Sequence, residues 1–228
     1  PENHFLDANV IIGSLVPWDA QYEKSVRYYN TTGIARHTSR RVYTECTGVF
    51  ERSRREIGKY LKGFYKHLNN PVDPLHVDYH IHRFTTQYAN SLENEKMRKI
   101  IQNFVHTHME ELRRVAFGGE QSLGEFQKSI REAVQFALDE LARRCIDSVG
   151  AEIFSMTAVP RIIPRAVPRN FELLSSALTH TPDVNVLLDS YHIKETMLQS
   201  KIFFITTDII HITSKKRLIK RILPGILI

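Results

Sequence analysis

The stretch HFLDANVIIG, residues 4–13, decides the fold. It is an apolar run broken by one carboxylate, Asp7. From Phe5 to Leu15 the residues are nearly all apolar and do not alternate with polar ones. That is the pattern of a strand covered on both faces, as in a parallel sheet. The run therefore predicts a buried strand with Asp7 inside it. Burying a carboxylate is costly unless it is paired or bound to a cation. Asp7 is thus the first candidate for a functional group.

Outward from this strand, Pro17 and Trp18 lead into an expected helix from about Asp19 to Asn30, and GIARHTS reads as a second short strand. A long helix is expected from Arg41 to His67, because Val42, Cys46, Val49, Phe50, Ile57, Tyr60, Leu61 and Phe64 recur near a 3.6-residue period. NNPVDP, residues 69–74, breaks it. One further amphipathic helix is expected to carry Met97, Ile101, Phe104, His108, Leu112 and Val115, and another Leu123 to Cys145, with FGGEQS as the turn between them. The prolines at 160, 164 and 168 make an extended connection.

The C-terminal part returns to alternating helix and strand. TPDVNVLLDSYHI reads as a helix with Thr181 as N-cap and Pro182 in its first turn. KIFFITTD reads as a buried strand ending in Asp208. TSKKRLIKRIL is a basic helix stopped by Pro224-Gly225, and ILI is a last short strand. Strand and helix alternating at both ends, with helices between, predicts an α/β sandwich. The expected division is a core from 1–68 and 170–228, with a helical insertion and Pro/Arg-rich connection over 69–169.

The chain has 228 residues, is 42% hydrophobic and carries a net charge of +6, with a pI near 9.3. No apolar run reaches the roughly 18 residues of a membrane span, and the first strand follows no signal-like segment. Two separated cysteines, Cys46 and Cys145, make neither a disulfide framework nor a thiolate metal site, which suits a reducing cytoplasm. The basic balance favours an anionic partner, nucleic acid first among them, over an acidic one.

Open α/β sheets form their sites at the carboxyl ends of strands, and two carboxylates are expected at that edge, with two more on helices turned toward it. Asp7 and Asp208 belong to strands. Glu45 lies three residues after Val42 and four before Val49, beside the apolar stripe of its helix. Asp183 sits in a first helical turn, where the helix dipole favours an anion. Asp189, about 240° further round that helix, is expected to face away. Two carboxylates about 5 Å apart repel by about 3 kcal/mol at an effective dielectric of 20. Four on one edge therefore call for a cation, and an all-oxygen ligand set suits Mg²⁺ or Mn²⁺.

With these segments in hand, the chain resembles the PIN-domain ribonucleases, as a member with a large helical insertion. FLDANVIIG looks like that family's opening strand, VYTECTGVF like the helix carrying its glutamate, PDVNVLLDSYHI like its third acidic segment, and FFITTDIIHI like its closing strand ending in Thr-x-Asp. The resemblance covers about residues 1–60 and 170–228. It implies a three-layer α/β/α sandwich around a parallel sheet. It further implies a metal-dependent endonuclease acting on single-stranded RNA, with Asp7, Glu45, Asp183 and Asp208 holding Mg²⁺ or Mn²⁺, and a homodimer. Asn9, Thr206 and Thr207 are the supporting residues. Many members carry a second acid two positions after the last aspartate; here that position is Ile210.

An acidic pocket repels RNA, so basic groups must recruit it. Arg40 and Arg41 near Glu45, and Lys215, Lys216 and Arg217 beyond Asp208, are the candidates, with Arg161, Arg165 and Arg169 as further contacts. HVDYHIH, with His76, Asp78, His80 and His82 at alternate positions, is a weaker candidate for a transition-metal site on a strand. Three rivals stand beside the nuclease. A phosphatase of the haloacid dehalogenase type needs an acid where Asn9 stands. A degenerate domain would bind RNA or protein without cleaving. A toxin would have an antitoxin-like partner protein.

Overall fold

The computed structural model describes residues 2–68, 73–147, 151–154, 166–178, 180–195 and 200–228. The chain is a mixed α/β protein that forms two compact units. One comprises Pro1–Leu15, Glu23–Cys46 and Glu140–Ile228; the other comprises Val16–Tyr22 and Thr47–Asp139.

The first unit is built on a five-stranded sheet of β1 (Glu2–Leu6), β2 (Ile34–Ser39), β3 (Ala151–Phe154), β4 (Ile202–Ile205) and β5 (Ile226–Leu227). Every pairing is parallel and the order is β3-β2-β1-β4-β5. Central β1 pairs Phe5 with His37 on one side and with Phe204 on the other. The Phe5 and Phe204 rings stack at 5.6 Å, and both are buried. Thr38 donates its hydroxyl to the Leu6 carbonyl at 3.1 Å, which ties β2 to the end of β1.

The opening stretch is not one strand. β1 ends at Leu6, and α1 (Ala8–Leu15) begins immediately after Asp7. A continuous apolar run has no period by which strand and helix can be told apart. Asp7 makes the switch. Its N–H donates to the Ile205 carbonyl at 3.0 Å, the last rung of the β1–β4 ladder. Its own carbonyl accepts from Val10 and Ile11, which starts the helix. All of α1 except Asn9 is buried, which explains why its sequence lacks a polar face.

Other boundaries shift as well. α2 (Tyr22–Tyr29) starts three residues later than Asp19, whose side chain instead caps a turn by accepting from Gln21 N–H. α3 (Arg40–His67) matches the expected long helix, and Ser39 Oγ accepts from Val42 N–H at its start. β3 lies inside the segment expected to be a helical insertion and connection. Accordingly the division between the units falls within α3, after Cys46, and again after Asp139, rather than at 68 and 169. A four-residue edge strand carries too short a pattern to announce itself. Most of the proline-rich connection lies outside the described residues, with Arg161 and Arg165; Pro168 and exposed Arg169 fall in the first turn of α7 (Ala166–Ala177), where proline is tolerated.

The second unit is helical. α4 (Val77–Ser91), α5 (Glu95–Thr107) and most of α6 (Met109–Asp147) accompany the later part of α3. Tyr60, Phe64, Ile81, Ile101, Phe104 and Leu112 are fully buried. The Tyr60 hydroxyl bonds to Thr85 Oγ1 at 2.8 Å. HVDYHIH is the start of α4 rather than a strand, since Val77, Ile81, Thr85 and Ala89 repeat at four-residue intervals on the buried face. Asp73 accepts from Leu75 N–H in the 3-10 turn that precedes it. The apolar series from Met97 to Val115 is divided: α5 stops before His108, and α6 begins at Met109. The expected turn at FGGEQS is a kink within α6 at Gly119, where φ is +66° and ψ is −149°.

Candidate functional site

The strand order places a crevice at the middle of the sheet. From β1 the chain builds outward through β2 and β3, then returns to the opposite side of β1 with β4 and β5. The connections therefore diverge between β1 and β4, the point at which open α/β sheets bind ligands beyond their strand ends. Asp7 follows β1 there, and Asp208 lies three residues beyond β4.

Asp7 is 7% exposed. Its Oδ1 accepts from Ala8 N–H at 2.7 Å. Its Oδ2 accepts from the Thr206 hydroxyl at 2.8 Å and from Asn9 Nδ2 at 3.4 Å. Thr206 Oγ1 in turn accepts from Asp208 N–H at 3.0 Å, so one hydroxyl links the two aspartates. Burial pushes the Asp7 carboxyl up from 3.8 to about 6, against the Thr206 and Ala8 hydrogen bonds and with further repulsion from Glu45 and Asp183.

Asp183 stands in the first turn of α8 (Thr181–Ile193), near its positive end. The N-cap is His180 rather than Thr181, because Pro182 already occupies the first helical turn. Burial raises the Asp183 carboxyl above its ordinary value, and the charges of Asp208 and Glu45 add to this. The four acids thus sense one another: Glu45 acts on both Asp7 and Asp183, and Asp208 acts on Asp183.

Asp208 behaves differently. Partial burial pushes its carboxyl up, but hydrogen bonds from His211 N–H and ring, with the charge of that ring, hold it below its ordinary value. Its Oδ1 accepts from His211 N–H at 2.8 Å, and its Oδ2 lies 2.9 Å from His211 Nδ1. Ligand atoms of Asp183, Asp208 and His211 all lie within 4.8 Å of one another, a spacing that fits a metal ion. His211 was not foreseen. The only signal is a histidine three residues after a strand-end aspartate, which lets the aspartate accept from that residue's N–H. The His180 and His211 rings meet edge to face at 4.7 Å.

No family model, no curated protein and no solved structure matches this chain.

The remaining sequence expectations divide. Thr206 supports the site as described, whereas Thr207 makes no side-chain hydrogen bond among the described residues. Asp189 does not face away: it is 3% exposed, with Oδ2 3.4 Å from Arg41 Nε, and it also accepts from Ser39. Arg41 is therefore engaged with Asp189, while Arg40 is exposed. Lys215, Lys216 and Arg217 are exposed, but they sit at the start of α9 (Lys216–Ile222), where the helix dipole does not favour them. His76, Asp78, His80 and His82 form no metal-holding group among the described residues. In a helix they point round the axis, with Asp78 bound bidentately by Arg113 at 2.7 and 2.8 Å and His76 beside Asp73. Cys46 and Cys145 are buried and form no disulfide among the described residues. Among the described residues no helix is long and apolar enough to cross a membrane.

Proposed function

We propose that this chain is a divalent-metal-dependent endoribonuclease of the PIN type, cleaving single-stranded RNA in a cytoplasmic setting. The observation that supports this reading is the grouping of Asp183, Asp208 and His211, whose ligand atoms lie within 4.8 Å of one another, with Asp7 tied to Asp208 through the Thr206 hydroxyl. The sandwich layering implied by the resemblance belongs to the same proposal.

The donor set fits a hard cation. Asp7 and Asp183, whose protonation is favoured by burial and, less, by neighbouring carboxylates, would be stabilised in their charged form by a bound Mg²⁺ or Mn²⁺. When bound, such an ion supplies positive charge for a phosphate oxygen and acidifies a water nucleophile. The chain's own residues then have separate tasks. Asp183 and Asp208 would hold the ion, with His211 orienting Asp208 through its N–H and ring. Asp7, fixed by Thr206, would hold or position the second oxygen ligands, and Glu45 would complete the anionic wall. Asn9 donates to Asp7 and has no proton to give as a general acid, which sets the dehalogenase-type phosphatase aside.

Cleavage of an end-labelled single-stranded RNA tests the reading. With Mn²⁺ or Mg²⁺ the wild type should cut, chelation should stop it, and Asp7→Asn and Asp208→Asn should each lose about 10²-fold or more. Equal cutting by wild type and both variants overturns the assignment. Binding without cutting by the wild type would leave a non-catalytic RNA-binding module in its place.

A further inference from the structure

The helical unit carries a groove of about 400 Å³ between the middle of α3 and the middle of α6. Five of its ten lining residues are cationic: Arg54, Arg55, Lys59, Lys62 and Arg131. No carboxylate lines it. Arg54 and Lys59 are partly neutralised by Glu51 and Glu56, one turn back on the same helix, at 2.8 and 3.2 Å. Arg55, Lys62 and Arg131 are exposed and have no carboxylate partner among the described residues.

The floor has a different character. Ile57, Leu61 and Ile130 are buried there. Gly58 leaves the α3 surface bare, with no atom within 4 Å of where a Cβ would stand. In the wall, Gln127 carries an amide Nε2 without an acceptor, a donor that a phosphate oxygen would satisfy. Like charges gathered on one groove are unfavourable unless an anion is there to receive them. Guanidinium groups match phosphate oxygens in pairs. An apolar floor beneath a cationic rim accepts the faces of unstacked sugars and bases while the rim follows the backbone. Arg55 and Lys62, seven residues apart, place charge along about 10 Å of the helix. An acidic helix, about 10–12 Å across with its side chains, suits so small a groove less well than an extended strand.

We propose that this groove is a binding site for the phosphodiester backbone of single-stranded nucleic acid, separate from the carboxylate site and independent of any cleavage there. The reading does not require the protein to be a nuclease, and it is tested without metal.

The test is fluorescence anisotropy of a fluorescein-labelled single-stranded RNA of mixed sequence in the presence of chelator, so that nothing is cut. Wild type is compared with the groove variant Arg55→Glu/Lys62→Glu/Arg131→Glu. The charge-matched control is Lys99→Glu/Arg114→Glu/Lys128→Glu, exposed positions of the same unit outside the groove. The groove variant should bind at least about tenfold more weakly, and its salt slope should fall by about 2, as three lost single-strand phosphate contacts require. The control should change far less. The neutral variant Arg55→Gln/Lys62→Gln/Arg131→Gln, checked for native helicity by circular dichroism, should weaken binding in the same direction. Equal losses in groove and control variants would mean net charge alone and overturn the site. No binding by wild type, or displacement of the RNA by poly-glutamate at matched charge, would overturn it too, the latter in favour of an acidic protein segment.

Discussion

Asp7 shows how one residue serves both fold and site. Its backbone closes the β1–β4 ladder and starts α1, while its side chain is buried against Thr206. A carboxyl raised to about 6 when folded, against 3.8 ordinarily, binds its proton more tightly in the folded state. Stability of the metal-free protein should therefore be highest below about pH 4 as far as this group is concerned, and fall as pH rises to about 6. That difference corresponds to about 3 kcal/mol at full effect. Asp7→Asn removes that penalty and keeps an amide oxygen to accept from Ala8 N–H, while its amide nitrogen faces the Thr206 hydroxyl, which must turn to accept from it. Urea unfolding of the metal-free variant at about pH 7.5 should show a gain of about 1–3 kcal/mol over wild type, vanishing near pH 4. A loss at the higher pH would show that the charged form is what the Thr206 and Ala8 donors require. Asp7 was legible as a buried carboxylate because nothing else interrupts the run from Phe5 to Leu15. His211 was not, because a single histidine in a loop has no periodic context that marks it.

At the scale of elements, periodic helices were legible and featureless or short segments were not. The α3 stripe from Val42 to Phe64 is regular over more than five turns, and α3 begins within one residue of its expected start. α1 was hidden because it is buried all round, and β3 because four residues carry too little pattern. α4 was obscured by a local alternation of histidines that its longer four-residue repeat overrides. The kink in α6 makes a sharp contrast between two glycines. Gly119, at φ +66° and ψ −149°, occupies a region nearly closed to other residues. Gly124 lies in regular helix with open space around its Cβ position. Gly119→Ala should destabilise by about 1–3 kcal/mol, whereas Gly124→Ala should stabilise by about 0.5–1 kcal/mol. Denaturant midpoints moving in opposite directions would confirm that Gly119 holds the kink; parallel shifts would show that the kink is not tied to that residue.

For the molecule as a whole, the acid site and the stability of the fold are linked through binding. A cation that occupies the folded site alone stabilises it by RT ln(1 + [L]/Kd), about 2.7 kcal/mol at a hundredfold excess over Kd. Protons compete for the same carboxylates. Added Mn²⁺ should therefore raise the melting temperature near pH 7.5, do so progressively less as the pH falls toward about 5, and have no effect on Asp208→Asn. A rise of equal size in that variant would place the ion elsewhere. The groove variants should respond to Mn²⁺ as wild type does, since their changes lie in the other unit.

The sequence by itself determined that the chain is α/β and that its ends share one parallel sheet; it marked Asp7 and Asp208 as acids of strand segments, Asp183 as an acid of a first helical turn and Glu45 as an acid beside an apolar helix stripe. Those features are local, written in period, apolar run and first-turn chemistry. Only the tertiary structure decided that Asp189 turns inward to Arg41, that His211 joins Asp208, and that β3 completes the sheet. It also brought two separate helices together to line a cationic groove. Contacts between residues distant along the chain are set by how elements pack, and no local pattern records them.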